Sequence, residues 1–277
     1  MSGISRTHEY LVRDALKEDL DKGHDVTSQN IIPDTHKTKA IMRARESGVL
    51  AGIQLAETTF FLLSDEITFT RHAKDGDKLD AGQYILTIEG PTQSILIGER
   101  TALNFLTHLS GIATLTYQYV EAIQGTKAKI LDTRKTIPCL RALQKYAVAI
   151  AGGSNHRMGL YDAVLIKDNH IAVANGIKPA LDAVKGQDSI EIEVDTLLQL
   201  EEVLSHGGAD IVLLDNMDVE TLKKAVQMAQ GKIKTEASGG VNLETVRAIA
   251  ETGVDYISIG ALTHSAPALD IGLDIDA

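Results

Sequence analysis

Between Arg134 and Lys167 the chain carries six cations, Arg134, Lys135, Arg141, Lys145, Arg157 and Lys167, against one acid, Asp162. The whole chain has a net charge of −11, so this stretch inverts the general balance. A charge run taken alone is usually a solvated helix face. Here the cations fall at two strand ends, in one loop and on the helix between, a distribution that suits a pocket for an anion. Arginine grips carboxylate or phosphate with two parallel hydrogen bonds, and lysine adds a point charge. His156 stands beside Arg157 after the loop Ala151-Gly152-Gly153-Ser154-Asn155, whose composition is poor packing material. His170 flanks the far end of the stretch. Glu193 and Asp215 each close a strand-like run. Acids so placed can hold Mg²⁺ with its waters, accept hydrogen bonds from ribose hydroxyls, or simply pair with neighbouring cations. Ser238-Gly239-Gly240 and Gly260-Ala261 follow the last two runs. There a backbone without Cβ atoms can approach a phosphate through its N–H groups, or merely turn from strand to helix.

These residues need a frame that gathers them. After Gly111 strand-like runs alternate with amphipathic helices. The runs are 128–131, 163–166, 190–194, 210–214, 233–237 and 256–259, with helical patterns at 196–204, 219–228 and 243–252. A seventh strand is suggested near Leu140–Ile150. Repeated βα units with near-continuous apolar strands predict a parallel sheet covered by helices, here an incomplete six- or seven-stranded α/β barrel. Working residues of such barrels cluster at the C-terminal ends of the strands, where all the groups above are expected. The first 112 residues follow another rhythm. A helix is expected over Thr7–Asp19, an acidic loop over Glu18–Ser28 that includes Lys22 and His24, alternating strands at 40–45, 67–70 and 84–88, and a helix from Gly98 to Leu109. This α+β sandwich module spans 1–112, the barrel 113–265, and the alternating tail 266–277 is expected to return and pair with the module.

Composition narrows the function classes. Hydrophobic residues at 44% and charged residues at 23% describe an ordinary globular chain. No run reaches the 18 or so apolar residues of a membrane helix, and Met1–Glu9 is polar, unlike a signal peptide. Cys139 is the one cysteine, so no disulfide framework or cysteine zinc site is expected, and a cytoplasmic setting fits. Net acidity and the absence of tryptophan argue against nucleic acid as a partner. No G-x-G-x-x-G follows a strand, which removes the usual dinucleotide signature, and no histidine pair has zinc-ligand spacing.

Several motifs carry a resemblance. Leu131-Asp132-Thr133-Arg134-Lys135-Thr136, Lys145-Tyr146-Ala147-Val148, Gly152-Gly153-Ser154-Asn155-His156-Arg157 and Leu165-Ile166-Lys167-Asp168-Asn169-His170 resemble the core motifs of the quinolinate phosphoribosyltransferases, also called carboxylating nicotinate-nucleotide pyrophosphorylases. Gly98–Asn104 and Ser110–Thr114 resemble the family's segment before its barrel. Glu191–Val194, Leu214-Asp215-Asn216, Glu236–Gly240 and Ser258–Ala261 are similar to its later strand ends. The match runs in order over nearly the whole chain. Departures are Ile137 and Cys139, where members often carry Thr and Gly, and Ala149-Ile150-Ala151 in place of a more glycine-rich stretch.

The resemblance implies quinolinate and 5-phosphoribosyl-1-pyrophosphate (PRPP) as substrates, with nicotinate mononucleotide, pyrophosphate and CO₂ as products. It implies that Arg134, His156, Arg157 and Lys167 hold the quinolinate carboxylates and that Lys135 lies between quinolinate and pyrophosphate. Glu193 and Asp215 would meet the ribose and the Mg²⁺-pyrophosphate, with Mg²⁺ held mainly through PRPP. Ser238, Gly239, Gly240 and Gly260 would hold the 5-phosphate. Arg100 would come from a second subunit of at least a homodimer. Competing readings are a molybdenum-associated paralogue acting on another acceptor, a Schiff-base aldolase using Lys167, a non-catalytic phosphosugar-binding protein, and a biotinyl-type carrier module around Asp75-Gly76-Asp77.

Overall fold

The computed structural model describes residues 8–21, 23 and 25–276. Thr7, Lys22 and His24, included in the expected first helix and the loop after it, lie outside the described residues, as do most of the polar N-terminal stretch and Ala277. The early elements are α1 Glu9–Leu20, α2 Ser28–Ile31, β1 Lys37–Ala44, β2 Gly48–Val49, α3 Ile53–Phe61, β3 Thr68–Arg71, β4 Lys78–Leu79, β5 Tyr84–Pro91 and α4 Thr92–Ala122. The middle ones are β6 Lys129–Leu131, α5 Arg141–Ile150, β7 Val164–Ile166, α6 Asp168–Val173, α7 Ile177–Ala183, β8 Ile190–Val194 and α8 Leu197–His206. The last are β9 Ile211–Asp215, α9 Val219–Ala229, β10 Lys234–Ser238, α10 Val246–Glu251, β11 Tyr256–Ser258, α11 Ala261–His264 and β12 Ile271–Asp276.

Two compact units result. The first comprises residues up to Leu115, Leu143–Ala151 and Ala266 onward, the second Thr116–Ala142 and Gly152–Ser265. The first unit holds an antiparallel sheet in the order β12-β1-β5-β3. The tail does return: β12 pairs with β1 from Ala44↔Ile271 to Lys39↔Asp276. Met42, Phe60, Ile85, Leu86, Ile88 and Leu106 are fully buried in its core, together with Leu269 and Ile271 from the returning chain. Each such side chain contributes about 1.5–3 kcal/mol through removal from water.

One expectation fails in this unit. Helix α4 runs 31 residues instead of ending near Leu109. Gly98 and Gly111, which read as punctuation, lie inside it and serve close packing. A Cβ on Gly98 would come within 2.7 Å of the Phe60 ring, and one on Gly111 within 2.0 Å of the Pro267 carbonyl oxygen.

The second unit holds six parallel strands in the order β6-β11-β10-β9-β8-β7. Sequential strands are neighbours except that the first, β6, pairs with the last, β11. A ring with that order lacks one join, between β6 and β7, and this is the incomplete barrel. Ser154 lies against β6 at that seam: its N–H donates to the Ile130 carbonyl (2.8 Å), and the Asp132 N–H donates to the Ser154 carbonyl (3.2 Å). No seventh strand forms at Leu140–Ile150. That segment is α5, because Leu143, Ala147 and Val148 recur at helical spacing and are buried together. The helices that brace the strands start on local signals. Thr196 Oγ1 accepts from the Gln199 N–H (3.2 Å) at α8, and the Asp218 carboxylate accepts from the Thr221 N–H (2.7 Å) at α9.

Candidate active site

A cavity of about 560 Å³ opens in the second unit, at the C-terminal ends of its strands. Its lining includes Leu165, Glu193, Leu213, Asp215, Glu236, Ser238 and Ser258. The pairs 213/215 and 236/238 show the cause: alternate residues of one strand face the same side. Arg134, Lys135, Arg157 and Lys167 bring four cations to the same space, and His156, Gly239 and Gly240 line it as well. A cavity of about 620 Å³ lies among Lys127, Asp210, Lys234 and Asp255, at the opposite ends of the strands. In barrels that face serves stability, not chemistry.

Local structure fixes the cations. The Lys135 N–H donates to Thr133 Oγ1 (2.9 Å), and the Lys135 carbonyl accepts from Thr263 Oγ1 (2.7 Å). Lys167 precedes α6, where its N–H donates to His170 Nδ1 (2.9 Å), so His170 caps the helix and sets the turn. Lys167 Nζ donates to Glu193 Oε2 (2.8 Å). The Arg157 guanidinium donates through Nη1 to the Ala163 carbonyl (3.2 Å), while its buried Nε has no hydrogen-bond partner among the described residues. Burial, and then the nearby Arg134 charge, lower the Arg157 pKa from its ordinary value. Two cations of the basic run do other work. Arg141 Nε donates to Thr136 Oγ1 (3.0 Å) and Nη1 to the Met158 carbonyl (3.1 Å), while Lys145 is buried on α5.

The glycine turn answers to close approach. Gly239 has φ +96°, and a Cβ there would sit 2.1 Å from Asn216 Oδ1. Gly240 has φ +62° with open space beside it. Gly260 is not among the lining residues; a Cβ on it would meet Lys135 Cδ at 3.0 Å. Arg100 lies on α4 in the first unit, exposed, and does not line the cavity.

Some site residues escape a reading of the sequence. Glu191 and Glu236 are buried at 5% and 1% exposure. His156 Nε2 lies 2.9 Å from Glu191 Oε2 and 3.7 Å from Glu236 Oε1. The three residues bring ligand-type atoms within 4.8 Å of one another, a cluster that linear spacing does not reveal. Burial, then the Glu191 charge, raises the Glu236 carboxyl to about 8. Below them Asp132, fully buried, accepts from Asn155 Nδ2 (2.5 Å) and from the His156 N–H (2.9 Å). The one available signal was Glu191 two residues before Glu193, which puts both on one face of a strand.

Comparison with known proteins identifies the family of the chain. The profile of the quinolinate phosphoribosyl transferase N-terminal domain matches residues 25–110, and that of the C-terminal domain matches 112–274. The chain is 45% identical over 276 residues to the carboxylating nicotinate-nucleotide pyrophosphorylase of Mycobacterium leprae, covering 95% of each chain. It is 44% identical over 283 residues to a mitochondrial, decarboxylating quinolinate phosphoribosyltransferase of Nicotiana tabacum, covering 95% of this chain and 80% of that one. The crystal structure of nicotinate-nucleotide pyrophosphorylase from Ehrlichia chaffeensis superposes with a TM-score of 0.94 at 43% identity, over 99% of this chain and all of the other. With both domain profiles matched in order and relatives alike over nearly their full length, the chain belongs to the quinolinate phosphoribosyl transferase family.

Proposed function

We propose that the protein transfers the phosphoribosyl group of PRPP to quinolinate, giving nicotinate mononucleotide, pyrophosphate and CO₂, a step in the synthesis of NAD. The observation that carries this reading is the convergence of Arg134, Lys135, Arg157 and Lys167 on one cavity that also holds the Ser238–Gly240 turn. Two adjacent carboxylates need several cations at close quarters, and a 5-phosphate needs bare backbone N–H groups. One space offers both.

In this mechanism Arg134, Arg157 and Lys167 take the quinolinate carboxylates, and Lys135 reaches between the ring and the pyrophosphate. Ser238, Gly239 and Gly240 hold the 5-phosphate, with Gly260 leaving room for the Lys135 chain. Glu193 and Asp215 face the ribose. Each has one oxygen engaged, by Lys167 Nζ and by Asn216 Nδ2 (2.6 Å), and one left for a ribose hydroxyl or a metal-bound water. Oxygen donors of this kind fit Mg²⁺ arriving with PRPP, which would neutralise pyrophosphate charge. As pyrophosphate leaves, positive charge builds on the sugar and the pyridine nitrogen attacks the anomeric carbon. Positioning of the two reactants supplies up to about 7–11 kcal/mol of the barrier reduction. The ring cation then stabilises the carbanion left when the 2-carboxylate departs as CO₂, and a proton delivered from water takes up that electron pair to give nicotinate mononucleotide.

Lys167 suits charge binding better than Schiff-base chemistry, because its ammonium is held by Glu193 at 2.8 Å. The working unit is a homodimer that brings Arg100 to the neighbouring site. This reading is supported by Arg100 standing exposed and not being among the residues that line the cavity. A cytoplasmic setting fits the single, exposed Cys139 and the absence, among the described residues, of a helix long and apolar enough to cross a membrane. The test is a turnover assay with quinolinate, PRPP and Mg²⁺, with nicotinate as control acceptor. Nicotinate mononucleotide and CO₂ formed from quinolinate alone are expected; no product from folded protein would overturn the reading.

A further inference from the structure

His156 reads, from its place among cations, as one more positive group for a substrate carboxylate. Its surroundings assign it another task. The backbone N–H of Arg157 donates to His156 Nδ1 at 2.7 Å. A ring nitrogen that accepts a hydrogen bond carries no proton, so the ring proton sits on Nε2. Nε2 in turn points at Glu191 Oε2, 2.9 Å away. The ring therefore spans from a buried carboxylate on β8 to the main chain of the residue that grips the substrate. From the other side Asp132 accepts the His156 main-chain N–H (2.9 Å) and the Asn155 side-chain amide (2.5 Å).

Resting on the reaction proposed above, we infer that His156 is a neutral strut and that Glu191 is a positioning residue. Together they hold the Arg157 backbone where its guanidinium meets the quinolinate carboxylate. Segment 155–157 is no strand and has little ladder bonding, so it needs these side-chain anchors. Burying Glu191 and Glu236 side by side is costly if both are charged. Their environment bears on that cost: burial, then the Glu191 charge, raises the Glu236 carboxyl to about 8, and Glu191 Oε2 stands 2.9 Å from His156 Nε2. Arg157 itself is set up to act: its buried Nε has no partner among the described residues.

The decisive measurement is the ¹⁵N spectrum of the histidine rings in the full-length protein between pH 6 and 8, without substrate, with His156→Gln to identify the signal. Expected is a neutral ring with its proton on Nε2 throughout. A ring protonated on both nitrogens in this range, or carrying its proton on Nδ1, would overturn the proposal. So would a divalent metal retained at one per chain and bound to this histidine. Kinetics give a second arm. Glu191→Gln keeps an acceptor for Nε2–H and should leave the quinolinate KM within about threefold of wild type; Glu191→Leu should raise it about tenfold or more while the PRPP KM stays within about threefold. Equal losses for both substrates, or equal losses in both variants, would reduce Glu191 to general core structure. If the wild-type enzyme forms no nicotinate mononucleotide, the reaction assignment fails, and the ring spectrum still decides the strut.

Discussion

Arg134 and Lys167 approach the cavity with different support: the Lys167 ammonium is balanced by Glu193, whereas Arg134 adds its charge to that of Arg157. On the proposed reaction, loss of either would leave a substrate carboxylate without its partner, which costs about 2–5 kcal/mol at a desolvated site. Arg134→Ala and Lys167→Ala should each lower kcat/KM by about 30- to 5,000-fold with little change in melting temperature. Near-normal activity in either variant would remove it from the site. Cys139 tests backbone strain instead. It adopts φ +65°, a region that costs a residue bearing a Cβ about 1–2 kcal/mol. Glycine there relieves the strain but loosens the unfolded chain, so Cys139→Gly should raise the melting temperature by about 2 °C. Scanning calorimetry reads this directly. At this scale the cations and glycine turns were legible because strand ends can be counted along a sequence. The buried pair Glu191 and Glu236 was not. An acid inside an alternating strand looks like the wet face of a half-buried sheet, and the partnership with His156 spans 35 residues in one case and 80 in the other.

Helix α4 shows how an element can be misread from correct chemistry. Glycine destabilises a helix interior by about 1 kcal/mol relative to alanine, so two of them suggest an end. Packing outweighs propensity here, since the Pro267 carbonyl occupies the space a Cβ on Gly111 would need. Gly111→Ala should therefore destabilise the protein by about 1–3 kcal/mol despite the better helix former. Denaturant unfolding measures it, and a stabilised variant would show that the tail yields easily. Strand β8 was read with its bounds intact, because five residues of alternating Ile, Glu and Val leave little freedom. Helix α5 was not, because the alternating run Tyr146–Ile150 satisfies a strand pattern as well as a helical one until its buried partners are known.

For the whole molecule the buried acid sets a pH dependence. The Glu236 carboxyl, raised to about 8 from an ordinary 4.5, keeps a proton that the unfolded chain has already lost between those values. The folded state binds the extra proton, so this contribution to stability is complete below pH 4.5 and is lost as pH rises toward 8. Glu236→Gln should flatten that decline, and melting curves of both proteins from pH 5 to 9 would show it. Parallel curves would mean that Glu236 is ionised in the fold. Assembly can be tested by complementation. Arg100→Ala and Lys167→Ala subunits, inactive alone, should recover up to about a quarter of wild-type activity per site when exchanged, if each site draws Arg100 from its neighbour. No recovery with exchange verified would mean that each chain builds its own site.

The pairing of β12 with β1 has a consequence for how the chain is made. Strand β1 closes at Ala44, yet its edge partner begins at Ile271, and Leu269 and Ile271 fill the same core. At about 5–20 residues per second, a ribosome needs on the order of ten to fifty seconds to deliver that partner. During synthesis the first sheet must wait with one apolar edge uncovered while the entire barrel sequence emerges. Strand β12, translated long after β1, thus acts as a latch, and its removal would be felt first in the sheet whose other strands are made earliest.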